Sequence, residues 1–255
     1  MPPARPSPLT DTDIPGTTWV VLAAHGSTRR PEANDAVSAH AARLRGEDVF
    51  RNASAAFLIG DAGPADAVDG IDAETVVIVP FMMSDGYLAG EISNRIESAL
   101  AARGGTSRIA VTDPVGTHPD IARIAERLAV TALTGAGLDT KDATLVLVAH
   151  GSSGRPESKA CAEAHANTLR NERIFSDVRL AMLEEEPFLD GVLAEIDGPA
   201  AVVGLFAAPG GHAVDDVRQA IANRASADIV DAGPVGTDPA MTAIARMRAL
   251  AALKR

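Results

Sequence analysis

The sequence is poor in cysteine and has no long apolar run. Its one cysteine, Cys161, excludes an intrachain disulfide and any zinc or iron–sulfur site made of several thiolates from one chain. We interpret Cys161 as a small helix residue. No apolar run approaches the roughly 20 residues needed to cross a bilayer, so we expect no membrane insertion.

Basic residues are outnumbered, with 23 lysines and arginines against 34 acidic residues and a formal net charge of -11. Nucleic acids are bound by a continuous basic face, so this balance argues against them as partners. Neither a Walker loop nor a G-x-G-x-x-G segment follows the first predicted strand. Small molecules and metal ions remain as ligands, and no nucleotide cofactor is implied.

The first 16 residues contain five prolines and lack the apolar core of a secretory signal. We predict a disordered lead-in at 1–16 and a cytoplasmic protein. The whole chain is 46% hydrophobic and 22% charged, which is typical of a soluble globular protein.

An internal repeat organises the chain. The tripeptide His-Gly-Ser at 25–27 recurs at 150–152, an offset of 125 residues (150 minus 25), and the same offset pairs Tyr87 with His212. The tetrapeptide PVGT at 114–117 recurs at 234–237. We therefore predict two copies of one unit, an N-terminal lobe at 17–134 and a C-terminal lobe at 143–255.

Each copy alternates short runs of β-branched residues with helical patterns. Strands are predicted at 18–24, 54–59, 75–81 and 108–112, and again at 144–149, 178–183, 200–206 and 228–231. This alternation predicts an α/β fold of two tandem similar lobes, each a small, mostly parallel sheet flanked by helices.

Three polar residues of the second copy, His150, Glu184 and His212, follow predicted strands. Ligands of parallel sheets bind outside the carboxyl ends of the strands, so these side chains are expected at one edge. Two imidazoles and a carboxylate suit a divalent cation such as Co²⁺, Ni²⁺ or Fe²⁺, and imidazole also exchanges protons in catalysis. Glu185 and Glu186 are alternatives to Glu184, and the acidic run can also be read as a solvated helix start.

The first copy has His25, Ile59 and Tyr87 at the corresponding positions, so it keeps one of the three side chains. Loss of function in one copy of a duplicated site explains both replacements. A histidine at a strand end can also be an ordinary loop residue, and that reading stays open for His25.

The other histidines fit structural roles. His40 and His165 lie well inside predicted helices, and we interpret them as helix-packing residues. His118 and its counterpart Asp238 precede predicted helices, so capping is the better account of both.

The residues around the His-Gly-Ser loops also argue against two other enzyme classes. A histidine phosphatase needs arginine before His-Gly, where this chain has Ala24 and Ala149. A serine hydrolase of the G-x-S-x-G type lacks its motif here. Both readings are disfavoured.

With His-Gly-Ser after the first strand, Leu-Glu after the second and Pro-Gly-Gly-His before an acidic helix start, the second copy resembles the sirohydrochlorin chelatases of the CbiX type, which are class II tetrapyrrole chelatases. The resemblance covers most of both halves. It implies two similar lobes with the macrocycle in the cleft between them. It also implies that His150, His212 and one residue of the run 184–186 handle the metal and protons.

The resemblance further implies ATP-independent insertion of a divalent metal into sirohydrochlorin by a lyase of cobalamin or sirohaem biosynthesis. We expect Co²⁺ first, with Fe²⁺ and Ni²⁺ as other candidates, and a monomeric protein. A metal or tetrapyrrole delivery protein is the alternative. Arg29 and Lys159 are further candidates to meet the substrate's carboxylates. The expected substrate contacts are Glu184, Ala207, Ala208, Pro209, Gly210 and Gly211, with His25 and Arg155 as secondary residues.

Overall fold

The computed structural model describes residues 15–60, 62–152, 156–209, 212–224, 226 and 228–254. In these ranges all strand pairs are parallel, and they form two four-stranded sheets. The first has the order β2-β1-β3-β4, and the second repeats it as β6-β5-β7-β8. The predicted α/β fold and parallel arrangement are confirmed. The strands are β1 (Thr18–Gly26), β2 (Asn52–Ile59), β3 (Thr75–Pro80), β4 (Arg108–Val111), β5 (Thr144–Ala149), β6 (Asp177–Met182), β7 (Ala200–Gly204) and β8 (Ile229–Pro234).

Helices connect the strands in both halves, and two of them begin after the predicted caps. The His118 Nδ1 accepts a hydrogen bond from the Asp120 N–H, and the Asp238 Oδ1 accepts one from the Ala240 N–H. None of the described helices is long and apolar enough to cross a membrane. The helices are α1 (Pro31–Gly46), α2 (Pro64–Ala67), α3 (Tyr87–Ala102), α4 (Asp120–Gly135), α5 (Glu157–Glu172), α6 (Leu189–Ala194), α7 (His212–Arg224) and α8 (Ala240–Leu253).

The two sheets share one core. Side chains alternate between the faces of a strand, so Leu22 of β1 and Leu145 of β5 both enter a central cluster that also contains Ile121 and Ile244 from the last helix of each half. Smaller clusters cover the outer faces, against α2 and α3 in the first half and α6 and α7 in the second. Neither sheet is therefore buried by its own half alone.

The last helix of each half packs on the opposite sheet. Helix α4 contacts β7 and β8, whereas α8 contacts β3 and β4. Arg127 on α4 donates two hydrogen bonds, of 2.7 and 2.9 Å, to the buried carboxylate of Asp238. Arg248 on α8 donates to the Pro114 carbonyl and to the Thr117 Oγ1. Because each half packs its last helix on the sheet of the other, the two halves form one packing unit.

Two buried histidines make reciprocal bonds between the halves. The His40 Nε2 on α1 lies 2.9 Å from the Gly236 carbonyl, and the His165 Nε2 on α5 lies 2.8 Å from the Gly116 carbonyl. A carbonyl only accepts, so Nε2 carries the proton in each ring. The interpretation of both histidines as packing residues is confirmed, and each one packs against the other half.

We expect His165→Ala to lower the free energy of unfolding by about 1–3 kcal/mol, because it leaves the buried Gly116 carbonyl without this donor. His165→Gln keeps an N–H donor and should cost less. Burial lowers the pKa of His165, although its bond to Gly116 acts in the opposite direction. The pKa of His165 is therefore lower in the folded protein than in the unfolded chain, so the unfolded chain binds a proton at His165 first as the pH falls. The stability that is present above about pH 6.5 is lost as the pH falls below that value.

Denaturant unfolding at pH 7.5 and pH 5.5 tests this linkage. Wild type should lose more stability between the two pH values than His165→Gln, in which this position does not titrate. Equal losses in the two proteins would contradict the assignment.

Candidate functional site

A cavity of about 780 Å³ is lined by residues from both halves. It opens at the carboxyl ends of the strands, where parallel sheets bind ligands, and its volume is that of a small-molecule site. His25 and Tyr87 line it from the first half, and His150, Glu184 and Ala207 line it from the second. The cavity thus brings together five of the predicted site residues, His25, His150, Glu184, Ala207 and Ala208.

The His-Gly-Ser turns require glycine in both halves. Gly26 and Gly151 have φ angles of 75° and 76°, in the left-handed region that favours glycine. A Cβ atom on Gly26 would lie 2.1 Å from the Ile59 carbonyl oxygen, and one on Gly151 would lie 2.9 Å from the Glu185 Cγ. The turn therefore keeps its glycine whether or not its half has kept a complete site.

The His150 imidazole lies beside the Glu184 carboxylate. The backbone N–H groups of Leu183 and Glu184 both donate to the His150 carbonyl, at 3.2 and 3.0 Å, and so fix the end of β6 against the end of β5. The side chains then meet with 3.4 Å between the His150 Nδ1 and the Glu184 Oε1, and each is 60% exposed. A carboxylate at this distance can orient the ring.

The other two acidic residues of the run have structural partners. The Glu185 Oε1 accepts a hydrogen bond of 2.8 Å from the Ser152 N–H, which braces the His-Gly-Ser turn. The Glu186 Oε2 accepts a hydrogen bond from the Phe188 N–H. Helix α6 begins at Leu189, so the run precedes the helix and the reading of it as a helix start is wrong. Of the three carboxylates, only that of Glu184 lines the cavity.

The structure describes only some of the remaining predicted site residues. His212 is the first residue of α7, but its side chain lies outside the described part of the structure. Among the described side chains, no three His, Cys, Asp or Glu residues come together as a metal site, so a metal set that includes His212 remains a prediction. Ala207 and Ala208 line the cavity, and Pro209 follows them. The other predicted residues outside the described ranges are Gly210, Gly211 and Arg155.

The first half presents a different set at the same positions. His25 is exposed at the end of β1, and Tyr87 begins α3 just as His212 begins α7. Ile59, at the end of β2, is 42% exposed and has no group that can bind a cation. His25 is therefore the one imidazole that the first half contributes to the cavity wall.

One contact near the site was not foreseen from the sequence. Arg30, just after the first His-Gly-Ser turn, forms an ion pair with Asp215 in the first turn of α7. These residues belong to different halves, and no spacing pattern links them. Lys159 donates to the Glu186 carbonyl at 2.6 Å, so this candidate cation has a structural partner.

Comparison with known proteins agrees with the duplicated architecture. The sequence model of the CbiX family matches residues 19–132 and 144–252. A probable sirohydrochlorin cobaltochelatase from Halobacterium salinarum is 24% identical over 220 residues, which cover 78% of this chain and 75% of that protein.

Solved structures share the fold. A multi-domain protein from Deinococcus radiodurans, described as similar to chelatases, has a TM-score of 0.75 at 24% identity; the match covers 92% of this chain but only 55% of that one. The sirohydrochlorin chelatase SirB from Bacillus subtilis subspecies spizizenii, in complex with cobalt, has a TM-score of 0.74 at 17% identity and covers 93% and 96% of the two chains. SirB from Bacillus subtilis has also been solved with Fe³⁺.

We expect Glu184→Gln to weaken Co²⁺ binding at least tenfold, because it removes the negative charge beside His150, and partners of metal-binding histidines contribute about 10–100-fold to affinity. Glu185→Gln is the matched control, since its amide oxygen can still accept from the Ser152 N–H. Isothermal titration calorimetry with Co²⁺ measures both. If Glu185→Gln weakened Co²⁺ binding as much as Glu184→Gln or more, the carboxylate that assists His150 would be that of Glu185.

Proposed function

The chain belongs to the CbiX family, and from this premise we propose that it inserts a divalent metal ion into sirohydrochlorin without ATP. The observation that carries the proposal is the His150–Glu184 pair at the wall of a cavity large enough for a small molecule. An imidazole, which can bind metal ions and accept protons, lies next to a carboxylate, and this supports a role in metal insertion.

In the proposed reaction, the ion enters one face of the ring and two pyrrole N–H protons leave. The exchange of one dication for two protons keeps the charge balanced. His150 and His212 hold the incoming ion and accept protons, while Glu184 orients His150 or takes a proton in turn. Binding of a puckered ring would favour the transition state, because the ring must distort to expose its nitrogens to the ion.

The macrocycle would lie in the cavity against the loop that follows β7. Ala207 and Ala208 line the cavity. We extend the substrate contacts through Pro209, Gly210 and Gly211, because glycines without side chains would let backbone N–H groups approach a flat ring. Arg155 is a secondary candidate for its carboxylates.

We propose Co²⁺ as the metal, since one relative carries the name of a cobaltochelatase and SirB has been solved with cobalt. Fe²⁺ and Ni²⁺ are the other candidates, because imidazole and carboxylate suit all three ions. The structure of SirB with Fe³⁺ supports iron as a candidate. The pathway is then cobalamin or sirohaem biosynthesis. We also propose a cytoplasmic, monomeric enzyme.

Spectrophotometry of sirohydrochlorin with each metal in turn tests the function. Repeated turnover with Co²⁺ is the expected result, and absence of insertion with any of the three ions would overturn the proposal. The alternative is delivery of metal or tetrapyrrole without catalysis, which the incomplete first copy would permit. A carrier would stop near one metallated ring per chain.

We expect His150→Ala and His212→Ala each to lower the insertion rate at least roughly a hundredfold, the lower end of what a general base contributes. Glu184→Gln should cause a smaller loss than either change. Steady-state kinetics gives the rates, and circular dichroism checks that the variants are folded. Wild-type rates in folded variants would contradict the site assignment.

The two halves of the chain should contribute unequally to the rate of metal insertion. We expect His25→Ala to lower the rate much less than His150→Ala, because Ile59 and Tyr87 leave the first copy without a ligand set. A Co²⁺ titration should find one functional site per chain, lost on removal of His150 or His212.

If folded His25→Ala is as inactive as His150→Ala, a site shared across the cleft by both His-Gly-Ser turns replaces the one-lobe site. A loss of stability with an unchanged rate would instead assign His25 to packing.

A further inference from the structure

The segment from Met82 to Leu88, which leads from the end of β3 into the first turn of α3, carries much larger apolar side chains than its counterpart. At the offset of 125 residues, Met82 and Met83 correspond to Ala207 and Ala208, and Leu88 corresponds to Ala213. Tyr87 takes the place of His212. Every one of these four changes adds apolar bulk to the first half, so the segment differs from its copy by more than the loss of a ligand.

These larger side chains face the cavity. Met82, Met83, Tyr87 and Leu88 all line it. Tyr87 is 62% exposed and Leu88 is 38% exposed, which places both among the exposed large hydrophobic residues of the described chain. Exposed apolar side chains gathered at one site mark a binding surface. The polar pair His150–Glu184 lines the same cavity from the other half.

Hydrogen bonds and close packing hold this segment in place. The Gly116 N–H donates to the Met82 carbonyl at 2.9 Å, and the thiol of Cys161 lies 3.2 Å from the Met83 carbonyl. A Cβ atom on Gly116 would lie 2.1 Å from the Met83 Cα. The Tyr87 hydroxyl lies 3.5 Å from the Glu91 Oε2, one turn further along α3.

We propose that Met82, Met83, Tyr87 and Leu88 form an apolar wall on which the substrate macrocycle lies, with the Tyr87 ring stacked on its conjugated face. Aromatic rings stack favourably on flat π-systems, and methionine side chains adapt to irregular apolar surfaces. The wall is a specificity surface for a flat ring, and it presents the opposite face of that ring to His150. This assignment rests on the proposed function.

Binding of metal-free sirohydrochlorin, followed by its absorbance and fluorescence, tests the wall without any turnover. Tyr87→Ala should raise the Kd about five- to tenfold, in the upper part of the range of about two- to thirteenfold for one aromatic contact. Tyr87→Phe should stay within about twofold because the ring remains. Met247→Ala, a change of another exposed apolar residue that does not line the cavity, is the matched control and should bind as wild type.

Steady-state kinetics with Co²⁺ then separates ring binding from chemistry. Tyr87→Ala should raise the KM for sirohydrochlorin by a similar factor with little change in kcat, whereas His150→Ala should bind the ring normally and lose kcat. A wild-type Kd in Tyr87→Ala, or a lower kcat with unchanged KM, would overturn the wall. Leu88→Ala is the second variant, with a smaller rise in Kd expected.

The outcomes also separate this proposal from the proposed function. If wild type binds the ring through Tyr87 but inserts no metal, the function fails and the wall stands. If Tyr87→Ala binds normally in a working chelatase, the wall alone fails. A wild-type protein that does not bind the ring overturns both.

Discussion

The reciprocal hydrogen bonds from His40 to Gly236 and from His165 to Gly116 are the constraint on which the cavity depends. Each glycine does three things at once: its carbonyl accepts from the other half, its N–H donates to the loop of its own half that enters the cavity, and its bare Cα lets that loop approach. A side chain at Gly236 would meet the Ala207 backbone at 2.1 Å. The contacts that position the cavity loops and the hydrogen bonds that join the halves therefore meet at the same two glycines.

This cross-bracing gives a physical reason for the pattern of the repeat. A residue that supports the opposite half is needed even if its own half has lost its site, and the paired histidines and the paired glycines of PVGT are of this kind. The glycines of the His-Gly-Ser turns lie close to residues of their own half, and the turn itself requires them. By contrast, the two copies differ at Glu184 and His212, which correspond to Ile59 and Tyr87. The scaffold has stayed symmetric while the cavity wall has diverged.

The sequence predicted the strands closely, because buried parallel strands read as runs of β-branched residues. It did not predict that α4 and α8 exchange sheets, since an apolar helix face shows that a helix is buried but not against which sheet. Nor could it choose within the acidic run. That choice depends on the backbone bonds to His150, which turn Glu184 towards the cavity and Glu185 towards the Ser152 N–H. The repeat showed that Tyr87 stands where the second copy has His212, but in the sequence this difference indicated only the loss of a possible ligand and not an apolar surface.

Under the proposed function, the asymmetry of the cavity follows from the geometry of metal insertion. An ion needs access to one face of the ring, and the opposite face is free to be held. If both halves carried imidazoles and a carboxylate, the ring would lie between two ligand sets, and ions bound to the second would compete with delivery from the first. Replacement of one set by a tyrosine and larger apolar side chains turns that face into a support. On this argument the first half has exchanged metal binding for ring binding, and its divergence is a gain of function as well as a loss.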